Sequence, residues 1–180
     1  MHDVTALILA GGKATRMGGV DKRELVVEGR TIFERQVEAL AGHDILVSSS
    51  RDIAGFQTVR DTVEDGGPLA GIAAGLAAAK TRWLLVLAGD MPYITSAMVD
   101  RLVSRTSDDI DAVGVRIAGL PEPLVCVLRV SVFLPLVQAR LARRDLKASR
   151  ILTEGENRVA WLDERDARAF FNVNVPEDVG

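Results

Sequence analysis

Two short runs of consecutive aliphatic residues, at positions 6–9 and 84–87, constrain the fold of this chain most strongly. A strand with one face in solvent alternates apolar and polar residues, whereas an uninterrupted run favours a strand buried on both faces, as in a parallel sheet. Other segments of strand length recur along the chain. Together they predict strands at residues 4–9, 45–48, 57–60, 83–87, 112–117, 124–128, 158–162 and 170–173.

Helical patterns separate these strands. Apolar residues recur at helical spacing in four segments, the third of which follows a candidate cap at Thr95 or Ser96. The apolar positions are Phe33, Val37 and Leu40; Leu69, Ile72, Ala73 and Leu76; Met98, Val99, Leu102 and Val103; and Val132, Leu136 and Val137. This alternation predicts a doubly wound α/β fold, a mostly parallel sheet with helices on both faces. We expect one domain over residues 1–180, with 119–180 as a C-terminal lobe.

The composition excludes several classes of function. With one cysteine, Cys126, and two histidines, His2 and His43, the 180 residues offer no intrachain disulfide, no cysteine-based zinc site and little scope for histidine catalysis. A net charge of −3 argues against nucleic acid and anionic membranes as partners. No apolar run reaches the roughly 18 residues that span a bilayer, and no leader pattern precedes the first strand. We expect a cytoplasmic protein with Cys126 in the core.

The segment after the first predicted strand, residues 9–22, is rich in glycine and basic residues. It holds four glycines, two of the four lysines of the chain, Lys13 and Lys22, and Arg16. Adjacent glycines expose backbone N–H groups, and with mobile cations they suit a triphosphate. The segment matches neither a Walker A loop nor GxGxxG. The alternative is an ordinary strand-to-helix loop with solvated charges.

Asp90 follows the second buried run within the sequence Gly89-Asp90-Met91-Pro92. Ligands of open α/β sheets bind beyond the carboxyl ends of the strands, so this carboxylate is predicted to face the ligand. Mg²⁺ prefers oxygen donors and is commonly held by few carboxylates together with phosphates and water. Asp90 is therefore a candidate Mg²⁺ ligand. The alternative is a turn-forming aspartate.

An ordered set of motifs resembles nucleotidyltransferases with a Rossmann-like fold, and within them most closely the molybdenum cofactor guanylyltransferases. The motifs are Leu9-Ala10-Gly11-Gly12-x-x-x-Arg16-Met17-Gly18-x-x-Asp21-Lys22, Asp61, Gly67-Pro68-Leu69-Ala70-Gly71-Ile72, Gly89-Asp90-x-Pro92, Glu122-Pro123-Leu124 and Asn172-Val173-Asn174-Val175-Pro176-Glu177-Asp178. The resemblance implies Mg²⁺-dependent transfer of GMP from GTP to molybdopterin, which yields molybdopterin guanine dinucleotide and pyrophosphate.

The resemblance also implies roles for individual residues. Arg16, Lys22 and Asp90 would be catalytic, with Asp90 and Asn174 holding the metal ion. Lys147, Asn172 and Asn174 would contact the second substrate, in part from the C-terminal lobe. The GTP site would comprise Leu9, Ala10, Gly11, Gly12, Lys22, Ser48, Asp61, Gly67 and Asp90.

Three residues depart from the family pattern. Ser48 stands where asparagine is common, Gly89 where cysteine is frequent, and Arg129 where tyrosine is frequent, so we expect the pterin side of the site to differ at Arg129. Lys147 lies in a run of basic residues, 140–150, for which a solvated helix face is the alternative.

Two other functions remain open from the sequence. One is a nucleotidyltransferase of the same fold that uses CTP or a sugar phosphate, although 180 residues leave little room for a sugar-binding insertion. The other is a nucleotide-binding module without turnover. Under the leading interpretation the partners are GTP and molybdopterin, with transient contact to cofactor-insertion proteins or apo-molybdoenzymes.

Overall fold

A seven-stranded sheet forms the centre of the protein. The computed structural model describes residues 3–10, 16–17, 20–61, 63, 65–164, 168 and 173, with the backbone alone at 16–17 and 20–22. The strands of this sheet run in the order β11-β9-β10-β8-β1-β6-β7. Their bounds are β1 Val4–Leu9, β6 Asp44–Ser48, β7 Gln57–Val59, β8 Trp83–Ala88, β9 Ala112–Ile117, β10 Leu120–Arg129 and β11 Val159–Glu164.

The sheet is mostly parallel, as predicted, and β10 is the exception. It pairs antiparallel with both β8 and β9. The reason lies in the turn that joins β9 to β10, where Ala118 and Gly119 both have positive φ, 51° and 82°. A two-residue turn of this kind matches the twist of a hairpin, and strands that it joins must run antiparallel.

Helices cover both faces of the sheet, which confirms the doubly wound architecture. Helices α1 (Ile32–Ala39) and α3 (Ser96–Val103) pack on one face, and α2 (Gly67–Ala78) and α4 (Val130–Ala142) pack on the other. The predicted cap of the third helix is Thr95, whose hydroxyl accepts a hydrogen bond from the Met98 N–H at 3.3 Å. Cys126 is fully buried between the sheet and the α2–α4 layer, as expected.

Several elements differ from the sequence-based expectation. Strand β10 extends well beyond the predicted residues 124–128. Two small hairpins, β2 (Arg16–Met17) with β3 (Val20–Asp21) and β4 (Val26–Val27) with β5 (Arg30–Thr31), were not predicted. The strand predicted at 170–173 lies outside the described residues except for Val173. Within the described ranges, no helix combines the length and the apolarity needed to cross a membrane.

Arg129 lies at the opposite edge of the sheet from Asp90, so our expectation that it alters the pterin side of the site is wrong. It is paired in register with Trp83, the first residue of β8, whereas Asp90 follows the last. Its guanidinium stacks over the Trp83 ring at 4.7 Å and donates to the Ile110 carbonyl. The long antiparallel strand carries Arg129 away from the carboxyl edge, which the sequence alone did not show.

Asp111 anchors the same distal edge. Its carboxylate accepts three hydrogen bonds from Arg158, at 2.9, 3.0 and 3.1 Å. These bonds, with a smaller contribution from Arg129, lower the pKa of Asp111 to about 2. Because the folded pKa lies below the ordinary carboxyl pKa, the stabilisation is complete above the ordinary value and is lost as the pH falls towards 2.

We therefore expect Asp111→Asn to lower the free energy of unfolding at pH 7 by about 1–2 kcal/mol, the range for charge-assisted hydrogen bonds to a partly exposed arginine. The difference from the native protein should shrink between pH 7 and pH 3. Urea unfolding at both pH values measures it. If the difference in unfolding free energy were the same at both pH values, the stabilisation would not come from the ionised carboxylate of Asp111.

Candidate active site

The carboxyl ends of the parallel strands bring several of the predicted site residues to one edge of the sheet. Leu9, the last residue of β1, is paired in register with Ser48 of β6 on one side and with Ala88 of β8 on the other. Ser48 is in turn paired with Val59, the last residue of β7. These paired residues form one row across four strands. Residues predicted to bind a nucleotide follow this row in the chain.

The turn after β8 is packed tightly against the end of β1. The Gly89 N–H donates to the Leu9 carbonyl at 3.0 Å. A Cβ atom at position 89 would lie 2.6 Å from the same carbonyl oxygen, so any larger residue requires a backbone shift. This close approach explains the glycine at the position where the resembling family often has cysteine.

Asp90, half-buried in this turn, is also joined to the C-terminal part of the chain. Its carbonyl accepts a hydrogen bond from the Val173 N–H at 2.9 Å. Val173 is fully buried and packs with Val27 and Ile32, which anchors this segment to the core. Its neighbours Asn172 and Asn174 lie outside the described residues.

Glu122 is a site residue to which the sequence analysis gave no role. It lies near the start of β10, and because this strand enters the sheet at the carboxyl edge, the side chain comes close to Asp90. Burial raises the pKa of Glu122, the negative charge of Asp90 raises it further, and a hydrogen bond from the Leu124 N–H at 3.3 Å opposes the rise. The only sequence signal was its place in the Glu122-Pro123-Leu124 motif.

Ser48 and Asp61 form a pair beside Asp90's edge of the sheet. Ser48 is buried, with 2% of its surface exposed, and its hydroxyl donates to Asp61 Oδ1 at 3.3 Å. Partial burial raises the pKa of Asp61, and the Ser48 hydrogen bond works against that rise. A Cβ atom on Gly71 of α2 would lie 2.6 Å from the Ser48 hydroxyl, so this glycine lets the helix close over the pair. The arrangement makes Ser48 the residue that orients Asp61.

Helix α2 begins at the same edge. Gly67 has φ +60°, a left-handed conformation that favours glycine. Gly66 before it makes no side-chain cap, and Pro68 follows, so the first turn of the helix starts without a capping side chain. This glycine pair turns the chain from the Asp61 loop into α2.

The glycine-rich loop is anchored by Leu9 and Ala10, both more than nine-tenths buried. The Ala10 N–H donates to the Ser48 carbonyl at 3.0 Å. Gly11 and Gly12 lie outside the described residues, as do the side chains of Arg16 and Lys22. The backbone is described further along, where Arg16 is paired with Asp21 in the β2–β3 hairpin and Lys22 begins a 3-10 helix. This pairing brings the backbones of the two predicted catalytic cations together.

Lys147 follows α4, in a short loop before a 3-10 helix at Ala148–Arg150. Its carbonyl accepts a hydrogen bond from Arg140, which also pairs with Asp145 at 3.0 Å. Arg150 pairs with Glu154. The Arg140 side chain is only 13% exposed, so the solvated-face interpretation is wrong for this residue. Arg150 is exposed, as that interpretation expects, and Lys147 is exposed as well.

The end of α4 approaches the carboxyl edge of the sheet. Leu141 and Ala142 line a cavity of about 660 Å³ together with Val59 and Arg60 at the end of β7. Lys147 thus follows a helix that returns to the edge at which Asp61 and Asp90 lie.

The acidic groups at this edge suit a hard cation. Asp90 and Glu122 supply carboxylate oxygens, the donors that Mg²⁺ prefers. Over the described ranges, no group of three or more His, Cys, Asp or Glu side chains could hold a metal ion. A site with few protein ligands leaves coordination positions for water and phosphate oxygens, which is the usual arrangement of Mg²⁺ in phosphoryl transfer.

Comparisons with known proteins show the family of the chain. Residues 6–159 match the model of the MobA-like NTP transferase domain. The chain is 34% identical to the molybdenum cofactor guanylyltransferase of Polynucleobacter asymbioticus over 191 aligned positions, covering 99% of this chain and 94% of the relative.

Two solved structures show the same fold. The molybdopterin-guanine dinucleotide biosynthesis protein A of Archaeoglobus fulgidus superposes with a TM-score of 0.77 at 20% identity, covering 97% of this chain and 94% of the other. The 2-C-methyl-D-erythritol 4-phosphate cytidylyltransferase of Thermus thermophilus superposes with a TM-score of 0.71 at 17% identity, covering 96% and 94%. The fold is therefore shared by proteins named for different nucleotides.

Proposed function

The chain belongs to the MobA-like NTP transferase family and is a nucleotidyltransferase, and from this premise we propose that it transfers GMP from GTP to molybdopterin. The observation that carries the proposal is the near full-length match to a molybdenum cofactor guanylyltransferase. The convergence of Leu9, Ser48, Asp61 and Asp90 at one sheet edge supports it. In the reaction, a terminal phosphate oxygen of molybdopterin forms a bond to the α-phosphorus of GTP, and the bond to pyrophosphate breaks.

The protein's part in this reaction is to align two anionic substrates and to stabilise developing charge. We assign Gly11, Gly12, Arg16 and Lys22 to the GTP phosphates, where backbone N–H groups and cations neutralise the departing pyrophosphate. Asp61, oriented by Ser48, is assigned to a hydroxyl or N–H group of the nucleoside. No protein base is needed, because a phosphate monoester is largely ionised near neutral pH.

Asp90 and Asn174 are the proposed Mg²⁺ ligands. When bound, the ion would neutralise phosphate charge at the reacting centre. The hydrogen bond from Val173 to the Asp90 carbonyl supports the pairing of these two segments. Glu122 adds a second negative charge beside Asp90 that a divalent cation offsets.

Lys147 and Asn172 are the proposed contacts to molybdopterin. The exposed ammonium group of Lys147 follows the helix that returns to this edge of the sheet. A phosphate monoester is the chemistry that such a cation recognises.

Release of pyrophosphate with purified protein, GTP, molybdopterin and Mg²⁺ tests the proposal. We expect release that depends on both substrates and on Mg²⁺. Matched reactions lacking molybdopterin or containing a chelator are the controls. Pyrophosphate release with a sugar phosphate but not with molybdopterin would contradict it, and nucleotide binding without release would identify a binding module.

The choice of base provides a separate prediction, centred on Gly11. A glycine leaves its peptide group uncovered and makes room for a purine, whereas an alanine methyl would crowd it. We expect GTP to be preferred over CTP and ATP, and Gly11→Ala to reduce the preference for GTP over CTP by about tenfold, within the range for pocket sterics and lost hydrogen bonds.

Rates with the three nucleotides on the native protein and on Gly11→Ala measure this preference. Ala112→Gly provides a matched control, since it changes one methyl group at a buried position at the opposite end of the sheet and should leave the preference unchanged. Equal or faster use of CTP by the native protein would overturn the guanylyltransferase assignment and leave the broader nucleotidyltransferase activity.

A further inference from the structure

The side chain of Gln36 in helix α1 contacts the Asp90 turn, and it has not been assigned a role in the site described above. Gln36 is fully buried. Its Nε2 group donates one hydrogen bond to the Ala88 carbonyl at 2.7 Å and another to the Met91 carbonyl at 3.2 Å. These two carbonyls lie on either side of Gly89 and Asp90, so a single amide spans the turn that presents the carboxylate.

Other contacts hold the rest of the turn. Arg35, the neighbour of Gln36, donates to the Pro92 carbonyl at 2.8 Å. The Asp90 carbonyl accepts from Val173. Four of the five carbonyls from residue 88 to residue 92, all but that of Gly89, are thus bound by side chains of α1 or by the backbone of Val173.

The amide of Gln36 is oriented by these bonds alone. Both partners are carbonyl oxygens, which only accept hydrogen bonds, so the NH₂ group must face them. The Oε1 atom is buried and has no hydrogen-bond partner within the described part of the chain. A buried polar atom without a partner is destabilising, and a methionine of similar length would avoid it. The amide therefore stabilises the turn through its two hydrogen bonds, while its buried Oε1 atom destabilises the core.

We propose that Gln36 is a positioning residue for Asp90: it fixes the backbone on both sides of the carboxylate so that the carboxylate meets the metal ion and phosphates in one geometry. This inference rests on the proposed role of Asp90. The loss of rate expected when Gln36 is replaced follows from the sensitivity of such sites, in which a misplacement of about 1 Å reduces the rate by about 100-fold.

Gln36→Met tests this role, because methionine keeps the length and removes the donors. Hydrogen exchange of the amides at residues 89, 90, 91 and 93 should become at least about tenfold faster in the variant, while the amides of β1 stay protected. With substrates, we expect kcat to fall by about 10- to 100-fold. By calorimetry, the affinity for GTP without Mg²⁺ should stay within about twofold, and the gain in affinity that Mg²⁺ produces should shrink.

Ala39→Gly is the matched control, since it weakens α1 at another buried position and removes no hydrogen bond to the Asp90 turn. It should lower the melting temperature but leave exchange at the turn, kcat and the Mg²⁺-dependent gain unchanged. Should Gln36→Met fail to fold, Gln36→Asn, which keeps the amide on a shorter side chain, is expected to show the same changes to a smaller extent.

Two results would overturn the inference. One is unchanged exchange at the amides of residues 89, 90, 91 and 93 in Gln36→Met. The other is faster exchange there with both kcat and the Mg²⁺-dependent gain unaltered. If the native protein releases no pyrophosphate from GTP and molybdopterin, the proposed function fails, whereas exchange and the Mg²⁺-dependent gain still decide the role of Gln36.

Discussion

Asp90→Asn is expected to reduce the rate of nucleotidyl transfer by about 10²–10³-fold, the loss typical of removing one group that stabilises charge at a reacting centre. The amide has nearly the volume of the carboxylate, and the turn is held by backbone contacts to Leu9 and Val173 rather than by the side chain alone. The fold should therefore persist. Steady-state rates at saturating GTP over a range of Mg²⁺ concentrations measure the effect.

Asp100→Asn is a suitable control, because this aspartate is exposed on α3 and lies apart from the turn. It should leave the rate unchanged. Near-normal turnover of Asp90→Asn at saturating Mg²⁺ would show that Asp90 is not the metal ligand. A large fall in melting temperature in the same variant would instead indicate a structural role for the carboxylate.

Lys22→Ala should weaken GTP binding by about 10- to 100-fold, which corresponds to the roughly 1.5–3 kcal/mol of charge-assisted hydrogen bonds to phosphate. The Lys22 backbone follows the β2–β3 hairpin that also carries Arg16, so one short segment presents both predicted cations. Lys13→Ala should have a smaller effect, since we predict Lys13 to be mostly solvated. Calorimetric titration of GTP into each variant measures both.

Lys80→Ala is the control variant for this comparison. Lys80 is exposed and lines a cavity with Thr5 and Asp44 at the amino ends of β1 and β6, the edge opposite the site. Its removal changes the net charge equally but should leave GTP affinity unchanged. Equal, negligible losses in Lys22→Ala and Lys13→Ala would reject the assignment of the glycine-rich loop to the phosphates.

Local patterns in the sequence were sufficient for the fold class and for the place of Asp90. The aliphatic runs predicted β1 and β8 because a strand buried on both faces has no polar positions. The helices α1 to α4 were predicted at helical spacing, and Thr95, one of the two predicted cap candidates, caps α3. Asp90 follows a buried parallel strand, and the position of a residue after a strand is a local property.

Contacts between distant segments required the tertiary structure. Glu122 comes to Asp90, and Arg129 goes to the opposite edge, because a two-residue turn makes β10 antiparallel, which the alternation of strands and helices does not reveal. Ser48 faces Asp61 because Gly71 lets α2 close over it. Gln36 bonds to carbonyls more than fifty residues away. Periodicity reports which face of an element is buried, whereas the partner of a buried polar group depends on how the elements pack.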